Sequence, residues 1–301
     1  GDLDQNLLKI REGILSGEIE IGNYHYFTIF DPKERRICAA SFPERVLHHA
    51  LMNVCHPFFE KYQIFDSYAS RKEKGTYKAL ERAQYFHKRN QWYLKLDVRK
   101  YFDSIDHEKM MIMLERLFKD KDLLKIFRWI INSYSVSPLK GLPIGNLTSQ
   151  YFANHYLAVA DRFIKEKLHI KSYVRYMDDM VLWHNDKDVL KSFHRVISGF
   201  LKEELKVELK PEVLNKTEKG LPFLGYRVFR NHFRLSVRSK KRYNKKSEKY
   251  FYLFDEGNFT QKEFRDHMLP MVAFTQHAKA YHFRKRNLDK INGQWPWALT
   301  A

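Results

Sequence analysis

Tyr173-Val-Arg-Tyr-Met-Asp-Asp-Met-Val-Leu-Trp183 decides how the rest of this 301-residue sequence is read. Two adjacent acids, Asp178 and Asp179, stand between short runs of β-branched and aromatic residues. That pattern predicts a β-hairpin with its turn at or beside the acids. The flanks cover the carboxylates from one side while the turn holds them at an edge. Two carboxylates at a fixed point suit a hard divalent cation, which prefers oxygen ligands. Aspartate is also common in turns for local reasons, so the metal reading depends on other stretches that fit the same site.

Upstream, Gln91-Trp-Tyr-Leu-Lys-Leu-Asp-Val-Arg-Lys-Tyr-Phe-Asp-Ser-Ile-Asp106 alternates as a strand over residues 92–98, with Trp92, Leu94 and Leu96 on one face. Asp97 falls near its end. Asp106 or Ser104 can cap the next helix, and a second helical stretch covers about Leu123 to Tyr134. Gly141-Leu-Pro-Ile-Gly-Asn-Leu-Thr-Ser-Gln150 is a turn-rich stretch, where Thr148 or Ser149 can begin a helix to about Leu168. Downstream, Asp186 or Asn185 caps a helix, and Val207-Glu-Leu-Lys210 reads as a short strand ended by Pro211. Strand, helices, hairpin, helix, strand is the split βαβ order of an antiparallel sheet backed by helices. In such a sheet Asp97 can lie beside Asp178 and Asp179.

Further out, Leu7, Leu8, Ile10, Ile14 and Leu15 predict a short amphipathic helix. Tyr24 to Phe30 and Ile37-Cys-Ala-Ala40 predict a hairpin with Lys33, Arg35 and Arg36 at its tip. Cations on a stiff hairpin suit a triphosphate, because Arg binds phosphate oxygens through two N–H groups. Pro43 and Glu44 open a helix with a broad apolar stripe. His48, His49 and His56 lie in or near it without an acidic or cysteine partner at ligand spacing, and read as core or surface histidines. Ser67-Tyr-Ala-Ser-Arg-Lys-Glu-Lys-Gly-Thr76 is a basic loop whose Arg71, Lys72 and Lys74 can reach a nucleic-acid backbone. Gly220 to Phe229 predicts another hairpin. Beyond it, Arg238, Lys240, Lys241, Arg242, Lys245 and Lys246 are interleaved with Tyr243, Tyr250, Phe251 and Tyr252. Cations track phosphates and aromatic faces stack on bases. Residues 260–292 add helical pattern and the basic run His282 to Arg286, and Trp295-Pro-Trp297 closes the chain as a docking or fraying tail.

The bulk properties agree. Lys and Arg total 54 against 36 Asp and Glu, a formal net charge of +18, which points to a polyanionic partner. Hydrophobic residues at 44 % and aromatics at 15 % supply a real core, which excludes a disordered chain. No long apolar run or signal-peptide pattern appears, so no membrane partner is expected. Two cysteines, Cys38 and Cys55, form no Cys-x-x-Cys pair, so a zinc or disulfide framework is not expected and a reducing cytoplasm is. The chain begins Gly1-Asp-Leu-Asp without Met, as a trimmed natural start would.

Four blocks together resemble the reverse transcriptases over about residues 30–250. Tyr176-Met-Asp-Asp179 resembles the polymerase Tyr-x-Asp-Asp motif, and Asp97 to Phe102 the first palm motif. Gly141 to Gln150 is similar to the motif beneath the template–primer, and Phe223-Leu-Gly225 to the primer grip. Bacterial intron and retron enzymes usually carry Gln-Gly-x-x-x-Ser-Pro in the third block; here it is Ile144-Gly-Asn-Leu-Thr-Ser-Gln150. That variant, with Ser67 to Thr76, resembles the reverse transcriptases of diversity-generating retroelements.

The resemblance implies an α+β right-hand polymerase fold: fingers over 1–91, a palm with a split βαβ antiparallel sheet over 92–230, and a basic helical thumb over 231–301, without an RNase H domain. It implies mutagenic cDNA synthesis, with errors at adenines, from a template RNA in a bacterial or phage-encoded system. Implied partners are the RNA/DNA primer–template, deoxynucleoside triphosphates and a small basic pentameric accessory variability protein. Asp97 and Asp178 would bridge two Mg²⁺ ions, with Mn²⁺ as a substitute and the Val98 carbonyl as an added ligand; Asp179 is similar to the family's third acid. Lys33, Arg35 and Arg36 would clamp the triphosphate. Phe102 takes the place of the steric gate against a ribose 2′-hydroxyl. Ile144, with Gly145 and Gln150 in the same block, replaces the usual Gln near the nascent pair, which would loosen the template base. Lys210 is a candidate general acid towards pyrophosphate.

Overall fold

The computed structural model describes residues 3–18, 20–30 and 34–289. The elements run α1 (Leu3–Ser16), β1 (Tyr24–Ile29), β2 (Arg35–Ala40), α2 (Phe42–Tyr62), α3 (Thr76–Arg89), β3 (Trp92–Asp97), α4 (Tyr101–Ser104), α5 (His107–Leu117), α6 (Lys121–Asn132) and α7 (Leu147–Arg162). Then come β4 (Tyr173–Tyr176), β5 (Asp179–His184), α8 (Lys187–Leu205), β6 (Val213–Lys216), β7 (Leu221–Phe223), β8 (Tyr226–Val228), β9 (Phe233–Leu235), α9 (Val237–Asp255), α10 (Gln261–Gln276) and α11 (Tyr281–Asp289). The mixed helix and sheet order agrees with the expected fold class.

Short polar side chains start several helices. Asp106 accepts from the Lys109 N–H at 3.0 Å, Asp120 from Leu123 at 2.9 Å and Asp186 from Asp188 at 2.7 Å. Each satisfies a donor that the first helical turn leaves open. α7 departs from expectation. Thr148 and Ser149 lie inside it, and Asn146 stands at its N-cap position without capping it. The Asn146 amide is used on β2 instead, accepting from Ala40 N at 3.1 Å and donating to Cys38 O at 3.0 Å.

The main sheet runs β4-β5-β3-β6. β3 therefore neighbours β5, as the split βαβ order requires. Tyr93 is as buried as Leu94 and Leu96, so β3 is an interior strand rather than one with a single apolar face. The expected strand at Val207–Lys210 is a correction: only Leu209 bridges, to Val98, and the strand forms later as β6. Backbone bonds from Arg99 to Glu208 and from Lys210 to Asp97, both 2.8 Å, begin a ladder, and Pro211 has no N–H to continue it. The hairpin expected near Gly220–Phe229 is β7–β8, and β9, which sequence patterning did not reveal, makes it three-stranded.

Contacts divide the chain into two compact units, Gly1–Ala79 with Leu94–Leu214, and Leu80–Tyr93 with Asn215–Ala301. The first is cored by Leu96, Phe127, Phe152, Tyr156, Val181 and Leu201, and the second by Leu80, Phe223, Tyr226, Phe264 and Met268. Among the described residues no helix is long and apolar enough to cross a membrane.

Candidate active site

The register of β4 and β5 pairs Tyr173 with Leu182 and Tyr176 with Asp179, leaving a two-residue turn of Met177 and Asp178. Tyr173, Val174, Met180, Val181 and Leu182 are fully buried, so the hairpin is anchored by its body and presents the acids at its tip. Asp97 ends β3, the neighbour of β5. Burial pushes the Asp178 carboxyl up from 3.8 to about 6, helped by the charges of Asp97 and Asp179 and opposed by Lys210. Asp97 and Asp178 are thus near enough to feel one another as like charges.

Two lysines face these acids. Lys210 Nζ donates to Asp97 Oδ1. Lys95 Nζ lies 2.9 Å from Asp179 Oδ1, an ion pair only, because that oxygen has no hydrogen-bond partner. Among the described residues no three His, Cys, Asp or Glu side chains are gathered as a metal cage. The donor chemistry nevertheless fits a hard divalent cation: the groups are oxygens, and burial, with the neighbouring charges of Asp97 and Asp179, holds Asp178 well above the usual carboxylate range.

A second layer lies under the turn. Arg175 and Asp161 are fully buried, with Arg175 Nη2 2.7 Å from Asp161 Oδ2 and Nε 2.8 Å from both carboxylate oxygens. Arg175 Nη1 donates to Asn154 Oδ1 at 2.8 Å and to the Met177 carbonyl at 3.0 Å. Tyr173 OH donates to Asp161 Oδ1 at 2.6 Å. Sequence reading missed Arg175, Asp161, Asn154 and Lys95. The available signal was a lone base in an apolar strand and a lone acid in the apolar run Ala158-Val-Ala-Asp161, because buried charges need partners.

The remaining candidates divide by place. Val98 is buried at the end of β3, and Phe102 is half-buried in α4, its carbonyl accepting from Leu142 N at 2.9 Å. Lys33 lies outside the described residues. Arg35 and Arg36 are exposed on β2, and the Arg36 guanidinium sits 4.3 Å from the centre of the Tyr26 ring. Ile144 O accepts from Cys38 N at 2.8 Å. Gly145, at φ +127°, lies so close to β2 that a Cβ there would meet Ile37 Cγ2 at 2.8 Å and Cys38 O at 3.2 Å. Gln150 Oε1 accepts from Ser70 Oγ at 3.2 Å. Ile144 and Gly145 thus seat the β1–β2 hairpin through their backbone, which motif reading did not foresee.

In the basic loop, Arg71 holds Glu60 through Nε and Nη2 and the carbonyls of Ile64 and Ser67 through Nη1. Lys74 donates to Phe65 O at 3.0 Å and lies 3.5 Å from the Phe65 ring centre. Both cations shape the loop, while Lys72 is exposed. On α9 the buried seam is Ser239, Tyr243 and Ser247, and Arg238, Lys240, Lys241 and Lys245 are exposed, with Arg242 and Lys246 at the margin. Tyr243 packs on Phe283 and Tyr250 stacks on His267, so these two rings belong to the helical packing. Tyr252 is 60 % exposed. His48 is a core histidine, one of the two expected placements, but the expected lack of an acidic partner is corrected. Glu44 lies one helical turn before His48 at 3.6 Å, both buried. Burial pushes Glu44 up and His48 down to about 4, which disfavours charge on either and makes this a core pair.

A family model described as reverse transcriptase (RNA-dependent DNA polymerase) matches residues 31–228. The chain belongs to the reverse transcriptase family. The putative COX1/OXI3 intron 2 protein of Saccharomyces cerevisiae is 24 % identical over 206 residues, which cover 46 % of this chain and 24 % of that relative. The group II intron-encoded protein LtrA of Lactococcus lactis is 23 % identical over 225 residues, 69 % of this chain and 37 % of that protein. The chain therefore spans well under half the length of these relatives. The fold matches that of apo telomerase from Candida tropicalis with a TM-score of 0.56 at 13 % identity, covering 90 % of this chain and 62 % of that one. For a reverse transcriptase, the matched span contains β3, the Asp178 turn and Lys210, and stops before α9.

Proposed function

We propose that this chain is an RNA-directed DNA polymerase that makes mutagenic cDNA, error-prone at adenines, within a diversity-generating retroelement. The observation that carries the polymerase part is the crowding of Asp97, Asp178 and Asp179 at the β3 end and the β4–β5 turn. Asp97, Asp178 and the Val98 carbonyl would hold two Mg²⁺ ions, or Mn²⁺ in their place, with Asp179 as the third acid. Bound ions supply activation of a primer 3′-hydroxyl towards the α-phosphate and charge neutralisation at the leaving pyrophosphate. Lys210, already on Asp97, is the nearby proton donor for that leaving group. Lys33, Arg35 and Arg36 contact the triphosphate, Phe102 screens the sugar, and the α9 cations with Lys72 track the template–primer backbone. Residues 1–91, 92–230 and 231–301 act as fingers, palm and thumb. The third-block sequence Ile144-Gly-Asn-Leu-Thr-Ser-Gln150 supports the retroelement assignment, and with it a small basic pentameric accessory partner.

Primer extension on poly-A with thymidine triphosphate tests the chemistry. Asp178→Ala should lower incorporation by about a hundredfold or more; equal incorporation would assign the activity elsewhere. Ile144→Gln should reduce misincorporation opposite adenine, and an unchanged error frequency would remove the idea that Ile144 loosens the template base. The intron-encoded relatives favour a second reading, a group II intron-type reverse transcriptase. A parent enzyme that copies adenine as accurately as the other bases would select it.

A further inference from the structure

We propose that Arg175 is a positioning residue for the acid-bearing turn: its buried guanidinium ties the Met177 carbonyl to α7 and to the segment after α2, and so fixes where Asp178 points. The inference deepens the polymerase reading and rests on it for its catalytic consequence.

Met177 adopts φ +54°. A non-glycine side chain disfavours that region, and such strain persists only where the surroundings hold it. The hold is visible. Arg175 Nη1 donates to the Met177 carbonyl at 3.0 Å, one residue before Asp178. The same guanidinium grips α7 through Asp161 and through both the side chain and the carbonyl of Asn154. It also donates to Gln63 Oε1 at 3.2 Å. The Arg175 backbone completes the join, donating to Asp66 O and accepting from Tyr68 N, both at 3.0 Å. Asn154 in turn donates to Ala69 O at 2.8 Å. One side chain therefore fixes the turn against two other parts of the unit.

Stability alone does not require this arrangement. A buried ion pair is often no better than a well-packed apolar pair of the same volume, because desolvation offsets the attraction. What an apolar pair cannot do is hold a particular backbone carbonyl in place. A lysine could still face Asp161, but it lacks the planar fork that reaches Asp161, Asn154 and Met177 together.

The test compares the parent, Asp178→Ala, Arg175→Lys and the double variant Arg175→Met/Asp161→Leu. Each is followed by thermal melting, Mn²⁺ binding by electron paramagnetic resonance, and primer-extension kinetics. The double variant is expected to fold, to bind Mn²⁺ about tenfold more weakly or worse, and to lose about tenfold or more in kcat while KM for the nucleotide stays within about twofold. A folded double variant with the parent's Mn²⁺ affinity and kcat overturns the proposal. If the double variant does not fold, Arg175→Lys decides by the same two readings. If the parent extends no primer, the polymerase reading fails and the Mn²⁺ comparison still decides the positioning claim. Parent binding that is absent, or that Asp178→Ala leaves unchanged, overturns that claim as well.

Discussion

The β4–β5 and β1–β2 hairpins are both antiparallel pairs with functional candidates at or near the tip, yet they are held in opposite ways. β4 and β5 are buried along most of their length, with a fully buried ion pair beneath their turn. In β1, four consecutive residues from His25 to Thr28 are exposed, and the hairpin is seated on its unit chiefly through β2, by Cys38, Ala40, Ile144, Gly145 and Asn146, with Tyr24 at the start of β1 held by Ser133 and Tyr134. The first hairpin is a fixed floor for charge. The second is a lightly seated arm, since few buried contacts mean low local stability. The proposed metal-holding role needs the former, and the proposed triphosphate contact of Arg35 and Arg36 is compatible with the latter.

The largest expected effect falls on the floor. Asp161→Ala leaves Arg175 charged and unpaired in the interior and should cost about 3–5 kcal/mol of global stability, read from denaturant unfolding. A loss no larger than that of a surface substitution would erase the contrast between the hairpins. On the arm, Gly145→Ala forces a Cβ to 2.8 Å from Ile37 Cγ2 at φ +127°. It should cost about 1–3 kcal/mol, and it should raise hydrogen exchange in β1 and β2 while leaving β4 and β5 protected. Equal loss of protection in both hairpins would mean that they open together. The smallest effect is on pH dependence. Asp178 is raised from 3.8 to about 6, so with divalent ions chelated its contribution is full below the ordinary value and is lost as pH rises through about 6. Denaturation midpoints in chelator should therefore fall across about pH 4 to 6. Asp178→Asn should remove that fall and Mn²⁺ should reverse it in the parent. A flat profile would mean that burial and the neighbouring acids do not hold the Asp178 carboxyl up.

Much of the site's frame was legible because local pattern and global fold agree there. Alternation around Asp178 and Asp179, the strand ending at Asp97 and the caps at Asp106 and Asp186 each follow from short-range preferences. The late strand β6 was not legible, because Lys206 at φ +52° and Pro211 redirect the chain in a way that periodicity does not register. Nor were the roles of Arg71 and Lys74, which look like surface cations in sequence but bind their own loop. On α9 the aromatic residues carried no label separating Tyr243, which packs inside, from Tyr252, which does not.

The sequence by itself determined the strand–helices–hairpin–helix order around the acids, their place at a turn, the excess of cations and the family motifs, since each is written in neighbours along the chain. Only the tertiary structure decided which charges meet. It set Lys210 on Asp97, Lys95 on Asp179 and Arg175 on Asp161, and it packed β2 against Gly145. Those pairings join residues brought together by folding, and burial sets their strength: Arg175 and Asp161 are wholly out of water, while Lys210 and Asp97 stay about a third exposed and are screened.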